Sequence, residues 1–184
     1  MALYEAALEA ARRGPLLEIG SYCGKSTLYL AAAAREHDAI VFSIDHHRGS
    51  EEHQPGEEYH DPALTDAEGL VDTLATFRRT IEQAGVAESV VGIVAPSEVA
   101  AKAWATPVAL VFIDGGHSTE AAMTDYRAWA PHLIAGGLLA IHDVFEDPAE
   151  GGRPPFEMYE QALQTGGFEN FSEKGSLRVL RKTG

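Results

Sequence analysis

A single α/β domain built on a Rossmann-like, doubly wound sheet is what this sequence predicts, and three observations predict it. Short apolar runs recur along the chain, and helical stretches alternate with them. Two of these runs end in features that suit the carboxyl edge of a parallel sheet. Leu16–Ile19 leads into a glycine turn, Gly20–Gly24, and Ile40–Ile44 ends in Asp45. The C-terminal segments Phe168–Glu173 and Ser176–Arg181 flank Lys174–Gly175 as a hairpin, so the mostly parallel sheet closes with an antiparallel strand. A chain of 184 residues holds one such domain with a full core and is too short for two ordinary ones.

The elements follow in order. Residues 2–13 have helical composition and stop at Gly14–Pro15. Strand one is Leu16–Ile19, and an alanine-rich helix over Ser26–Glu36 packs on the sheet. Strand two is Ile40–Ile44. From His46 to Thr65 the chain is polar, contains Pro55, Gly56 and Pro62, and carries His46, His47, His53 and His60. A loop of that length inside a small domain is expected to be a lid or substrate loop. Ala67–Ala84 is amphipathic and predicts a helix stopped by Gly85. Val90–Val94 is strand three. Ser97 can cap a helix over Glu98–Trp104. Ala109–Ile113 is strand four, ending in Asp114. Thr119–Leu133 predicts a helix, broken at Gly136–Gly137. Leu138–Ile141 is strand five, ending in His142–Asp143. A loop then leads to a helix over Pro155–Thr165. Strands that alternate with helices predict right-handed crossovers and a parallel sheet.

The glycine turn narrows the chemistry. Gly20 and Gly24 lack a Cβ, so the chain can turn sharply and a ligand can sit against the backbone. A third glycine of the dinucleotide fingerprint is missing. The phosphate-binding P-loop is also excluded, because Ile19 stands where its first glycine is required. Glu18 would repel a phosphate. A carboxylate there suits a cationic ligand instead, and S-adenosylmethionine carries an ammonium and a sulfonium. Asp45, at the end of the next strand, suits a ribose diol.

Composition excludes several classes. Hydrophobic residues make up 45% and charged residues 23%, as in a globular protein. The net charge of -14 and the lack of a basic stripe argue against nucleic acid and anionic membranes as partners. One cysteine, Cys23, supports no disulfide framework and indicates a reducing, cytoplasmic setting. No leader or membrane span is expected, because no apolar run approaches about 18 residues. The sequence leaves a homodimer open.

From Leu16 to Lys182 the chain resembles the class I S-adenosylmethionine-dependent methyltransferases. It is most similar to the small O-methyltransferases that bind a divalent metal and act on sugars or natural products. The resemblance rests on Glu18–Thr27, Ile44–Asp45, Phe112–Ser118 and Gly136–Asp143. It implies one methyltransferase domain over 1–184, with S-adenosylmethionine as cofactor. By position, Glu18, Gly20 and Ser21 would line the methionine part, with Gly24 and Ser26 completing the turn. Asp45 would bind the ribose, His46 and Ser97 would flank the adenine, and Asp114 would lie near the transferring methyl. Metal-binding members often have two adjacent acids after strand five, whereas this chain has His142 before Asp143.

Strands four and five bring Asp114, His117, His142 and Asp143 to one crevice at the switch point. Two close carboxylates without a cation would repel each other. A divalent metal, Mg or Mn, resolves this, with Asp114, His142 and Asp143 as ligands. The same acids could instead cap turns at strand ends. Methyl transfer to an alcohol needs its proton removed, and His117 or His142 would serve as base. The acceptor expected is a hydroxyl of a small molecule or saccharide. A nicotinamide-dependent oxidoreductase is the main alternative, but its tighter glycine fingerprint and Tyr/Lys pair are missing. A non-catalytic nucleoside-binding module is the other.

Overall fold

The computed structural model describes residues 2–57, 59–116, 118–147 and 149–184. Seven strands form one sheet: β1 Leu16–Ile19, β2 Val41–Asp45, β3 Val90–Val94, β4 Val108–Ile113, β5 Leu133–Ile141, β6 Phe168–Lys174 and β7 Leu177–Lys182. Their order is β3-β2-β1-β4-β5-β7-β6. The first five are parallel, and β7 runs antiparallel between β5 and β6. This is the doubly wound sheet that the alternating pattern predicts. The chain leaves β1 toward β2 on one side and returns to β4 on the other, which opens a crevice at the carboxyl ends of β1 and β4.

Six helices cover the two faces: α1 Ala2–Ala11, α2 Lys25–Arg35, α3 Leu74–Gln83, α4 Ser97–Ala101, α5 Thr119–Trp129 and α6 Pro154–Gln164. Side chains alternate across each strand, so one face of the central strands meets α1–α3 and the other meets α5 and α6. Leu16, Leu110, Phe112 and Leu138 pack with the alanines of α1 and α2. Leu17, Ile19, Val111, Ile113 and Leu139 pack with Met123, Tyr126 and Trp129 of α5 and Met158 of α6. β1 and β4 are buried throughout, which explains why they are apolar at every position but Glu18.

Three expectations are corrected. The helix expected over Ala67–Ala84 forms only from Leu74. The Asp66 carboxylate accepts from the backbone N–H of Glu68 and Leu70, Gly69 takes φ 78°, and Thr65 bridges Val71, so a turn displaces the first two helical turns. The helix expected to run to Leu133 ends at Trp129, because Pro131 turns the chain into a 3-10 segment and β5 already begins at Leu133. Ser97 does not cap a helix. It is the first residue of α4, and Pro96 stands at the cap with no side-chain bond.

Candidate cofactor and acceptor cleft

A cleft of about 1150 Å³ opens over the carboxyl ends of the strands. Its walls come from the glycine turn, the ends of β2, β3 and β4, the start of α5, and the tip of the β6–β7 hairpin. Gly20, Ser21, Ser26, Asp45, His46, Ser97, Asp114 and His142 all lie on it. Tyr22, His47 and Asp143 hold positive φ angles of 47°, 58° and 55° in the turns that follow β1, β2 and β5. Such angles cost energy in non-glycine residues and concentrate where a structure positions chemistry.

Asp45 ties two of these turns together. Its carboxylate accepts from the backbone N–H of Tyr22 and of His47, each at 2.7 Å. The acid therefore anchors the glycine turn to the end of β2 while remaining on the cleft wall. Beside it, the Ser21 hydroxyl is buried without a hydrogen-bond partner among the described residues. An orphaned hydroxyl on the wall of an open cleft suits a polar ligand.

Gly20 has a different reason from the expected one. A Cβ at this residue would stand 2.1 Å from the carbonyl oxygen of Asp114. The backbone that approaches Gly20 is thus the protein's own β4–α5 connection, and it brings Asp114 to β1. Gly24 does not reach the cleft. It is buried at φ 88°, and a Cβ there would meet Phe77 of α3 at 3.2 Å.

Glu18 also lies elsewhere than expected. It points to the α2 face of the sheet and is fully buried beneath the turn. Thr27 Oγ1 and Ser43 Oγ both donate to its Oε2, at 2.6 and 2.8 Å, while Oε1 has no partner among the described residues. Burial pushes this carboxyl up to about 7, against the pull of hydrogen bonds from Ser26, Thr27 and Ser43. Its side chain is not part of the cleft wall. Its charge can still act through the turn.

The ends of β4 and β5 assemble the expected cluster. His142 Nδ1 lies 3.2 Å from Asp114 Oδ1 and 3.1 Å from Asp143 Oδ1. Both oxygens are within hydrogen-bond distance of the ring nitrogen. The two carboxylates, Asp114 first, hold the imidazole at about 10. One donor atom from each of the three residues lies within 4.8 Å of the others. Ser176 Oγ also approaches Asp143 at 3.4 Å. Two carboxylate oxygens and one imidazole nitrogen this close together are a donor set that could hold a divalent ion such as Mg or Mn. The expected base His117 lies outside the described residues.

The first part of the polar segment 46–65 forms part of the cleft wall. Gly49, Ser50, Glu51, Glu52 and His53 face the cleft. The His53 ring packs on Tyr22 at 4.6 Å, and its Nδ1 pairs with Ser50 Oγ at 2.7 Å. His47 turns away, buried against Phe77 and bonded to Thr73 at 2.8 Å. His46 Nδ1 accepts from the backbone N–H of Arg48 at 3.0 Å. No described loop histidine belongs to the three-ligand group of Asp114, His142 and Asp143.

One residue of the cleft has no counterpart in the expected set. Asp125 of α5 is 6% exposed and lines the wall beside Ser97. Burial raises its carboxyl to about 6, partly offset by a hydrogen bond from Ser97. Its helical period made it indistinguishable from a polar surface residue in the sequence.

Residues 17–144 match the sequence profile of a family described as a methyltransferase domain. Several solved structures share the fold. The O-methyltransferase NovP aligns with a TM-score of 0.73 at 16% identity, covering 100% of this chain and 77% of that one. An S-adenosylhomocysteine-bound methyltransferase from Podospora anserina, PaMTH1, gives 0.66 at 16%, covering 98% and 77%. The calicheamicin methyltransferase CalS11 gives 0.67 at 16%, covering 98% and 76%. Among the described residues, no helix is long and apolar enough to cross a membrane.

Proposed function

The chain belongs to the class I S-adenosylmethionine-dependent methyltransferases, and from that premise we propose that it methylates a hydroxyl of a small molecule or saccharide with the help of a divalent metal. The observation that carries the proposal is the convergence of Asp114, His142 and Asp143, the first two of which line the cleft together with Asp45 and Ser21. In this reading S-adenosylmethionine supplies the methyl group, and a divalent ion supplies positive charge that lowers the pKa of an alcohol or phenol.

The chain's own residues then divide the work. Asp45 keeps lone pairs beyond those given to Tyr22 and His47, and accepts from the ribose hydroxyls. Ser21 gives its free hydroxyl to the methionine end. Asp114, Asp143 and His142 would hold the ion, and His142 would have to be neutral to do so. That commitment leaves His117 as the residue to take the proton of the acceptor. The name of the calicheamicin methyltransferase CalS11 favours a natural product as acceptor, and a vicinal diol or catechol would chelate the ion. A homodimer in the cytoplasm is compatible with this reading.

The test is mass spectrometry of reactions with methyl-labelled S-adenosylmethionine and a panel of catechols and saccharides. Label should enter the acceptor, cease with a chelator and return with Mg or Mn. Asp143→Ala should stop turnover and retain S-adenosylhomocysteine binding. His117→Ala should slow turnover roughly 100-fold or more, the usual size of a lost general base. Full turnover in chelator, with no metal by elemental analysis, would remove the ion from the mechanism.

A further inference from the structure

Acids dominate the cleft wall, as they do the whole chain, whose net charge is -14. Besides three aspartates the wall carries Glu51, Glu52, Glu98 and Glu120, and it holds no arginine among the described residues. Its lysines are Lys25, which follows the glycine turn at the start of α2, and Lys174, at the end of β6. Lys25 borders the part of the cleft read above as the cofactor's. Lys174 belongs to the opposite part, where the acceptor would lie.

The hairpin fixes where Lys174 stands. Lys174 pairs with Leu177 across the tight turn Gly175–Ser176, in which Gly175 takes φ 59°. That turn is tied to the strand end that carries Asp143. The backbone N–H of Val144 donates to the Ser176 carbonyl at 2.9 Å, and the Ser176 hydroxyl donates to Asp143 Oδ1 at 3.4 Å. Arg178, only 9% exposed, donates to the Gly175 carbonyl at 2.7 Å. The same guanidinium attracts Glu173, its cross-strand partner, at 3.6 Å and Glu146 at 3.9 Å. Lys174 has no ion-pair partner among the described residues. Arg178 thus takes up the acids around the tip, and the charge of Lys174 is left for the cleft.

An ammonium without a carboxylate partner attracts an anion, and on this wall it is the exception to a repelling field. Leu3 of α1, Tyr29 of α2 and Leu177 of β7 add an apolar stretch to the same wall. They belong to one side of it, because α1 packs against both α2 and β7. An aromatic ring fits such a stretch. We propose that Lys174 selects the acceptor, an aromatic compound that places its reacting hydroxyl at the Asp114–His142–Asp143 group and carries an anionic group elsewhere on the ring. The proposal rests on the hydroxyl-methylation reading above and narrows its substrate class.

Calorimetry on the whole chain, in the presence of S-adenosylhomocysteine and Mg, tests it with protocatechuate and its neutral amide. The two share the ring and the vicinal hydroxyls and differ in charge. The native protein should bind the acid roughly 3- to 10-fold more tightly than the amide, the range of a charge pair at a partly open site. Salt at about 0.5 M should shrink that preference. Lys174→Ala should weaken the acid and leave the amide within about twofold of the native affinity, as expected of an exposed residue. A disturbed hairpin would weaken both ligands instead. Lys174→Glu should reverse the preference, and Lys174→Arg should keep it. A native protein that binds the amide as tightly as the acid overturns the role of Lys174 and leaves the hydroxyl-methylation reading standing, as does a folded Lys174→Glu variant with the native preference. Binding of neither compound overturns that reading for aromatic acceptors, and the proposal with it.

Discussion

Replacing Asp45 by alanine should damage the empty protein before it affects any ligand. The carboxylate receives two backbone N–H groups at 2.7 Å, one from the turn after β1 and one from the turn after β2. A hydrogen bond to a charged group contributes about 1.5–3 kcal/mol, so the pair contributes about 3–6 kcal/mol when fully shielded. Asp45 is only half-buried, and water can replace part of this. A loss of about 2–3 kcal/mol is therefore expected in urea unfolding. Asp45→Asn retains one acceptor oxygen and should lose about half as much. Both donors sit on residues with positive φ, which unpaired backbone holds less well. Calorimetry with S-adenosylhomocysteine, on variant protein shown to be folded, then isolates the ribose contacts. Their loss should weaken binding roughly 5- to 150-fold, corresponding to about 1–3 kcal/mol. Stability within about 0.5 kcal/mol of the native protein, the usual range for an inert surface change, would refute the anchoring role. Unchanged affinity would refute the ribose assignment.

Other perturbations address neighbouring groups. Gly20→Ala places a Cβ 2.1 Å from a backbone oxygen at φ 84°, and should cost at least about 3 kcal/mol or prevent folding, as read by thermal unfolding; a variant of native stability would contradict the close packing of β1 on the β4 connection. Glu18 is raised to about 7 in the fold from an ordinary 4.5. The stability tied to its neutral form is therefore complete below pH 4.5 and is lost as pH rises through 7. Relative to Glu18→Gln, the native protein should lose about 3 kcal/mol across that window, and parallel stability curves for the two proteins would show that Glu18 does not titrate there. Hydrogen exchange checks the lid role of residues 46–65: protection should increase when cofactor and acceptor bind together, whereas equal protection in the empty and loaded protein would mark it as a fixed wall.

Much of the fold was legible because buried strands write themselves plainly. β1 and β4 are apolar at nearly every position, and their lengths differ from expectation by at most one residue. The strand-end acids Asp45 and Asp114 were equally legible, since a carboxylate that ends an apolar run lies at the sheet edge. Local signals competed elsewhere. Ala67–Ala84 has helical amphipathicity throughout, yet the Asp66 carboxylate and Gly69 form a turn that periodicity does not register. Pro131 ended α5 earlier than the glycines that looked like the stop.

The sequence by itself determined the doubly wound sheet, the carboxyl-edge crevice and the residue types gathered there. Those depend on period, turn chemistry and chain order, all of which are local. Only the tertiary structure decided which atoms face the crevice. Glu18 and Gly20 are two residues apart, yet one lies sealed beneath α2 and the other meets the Asp114 carbonyl. Asp125 and Ser97 are far apart in the chain, and they meet because α4 and α5 pack on the same face of the sheet. Burial and partnership arise between segments distant in sequence. A polar residue on a helix therefore shows its role only once the surface opposite it is known.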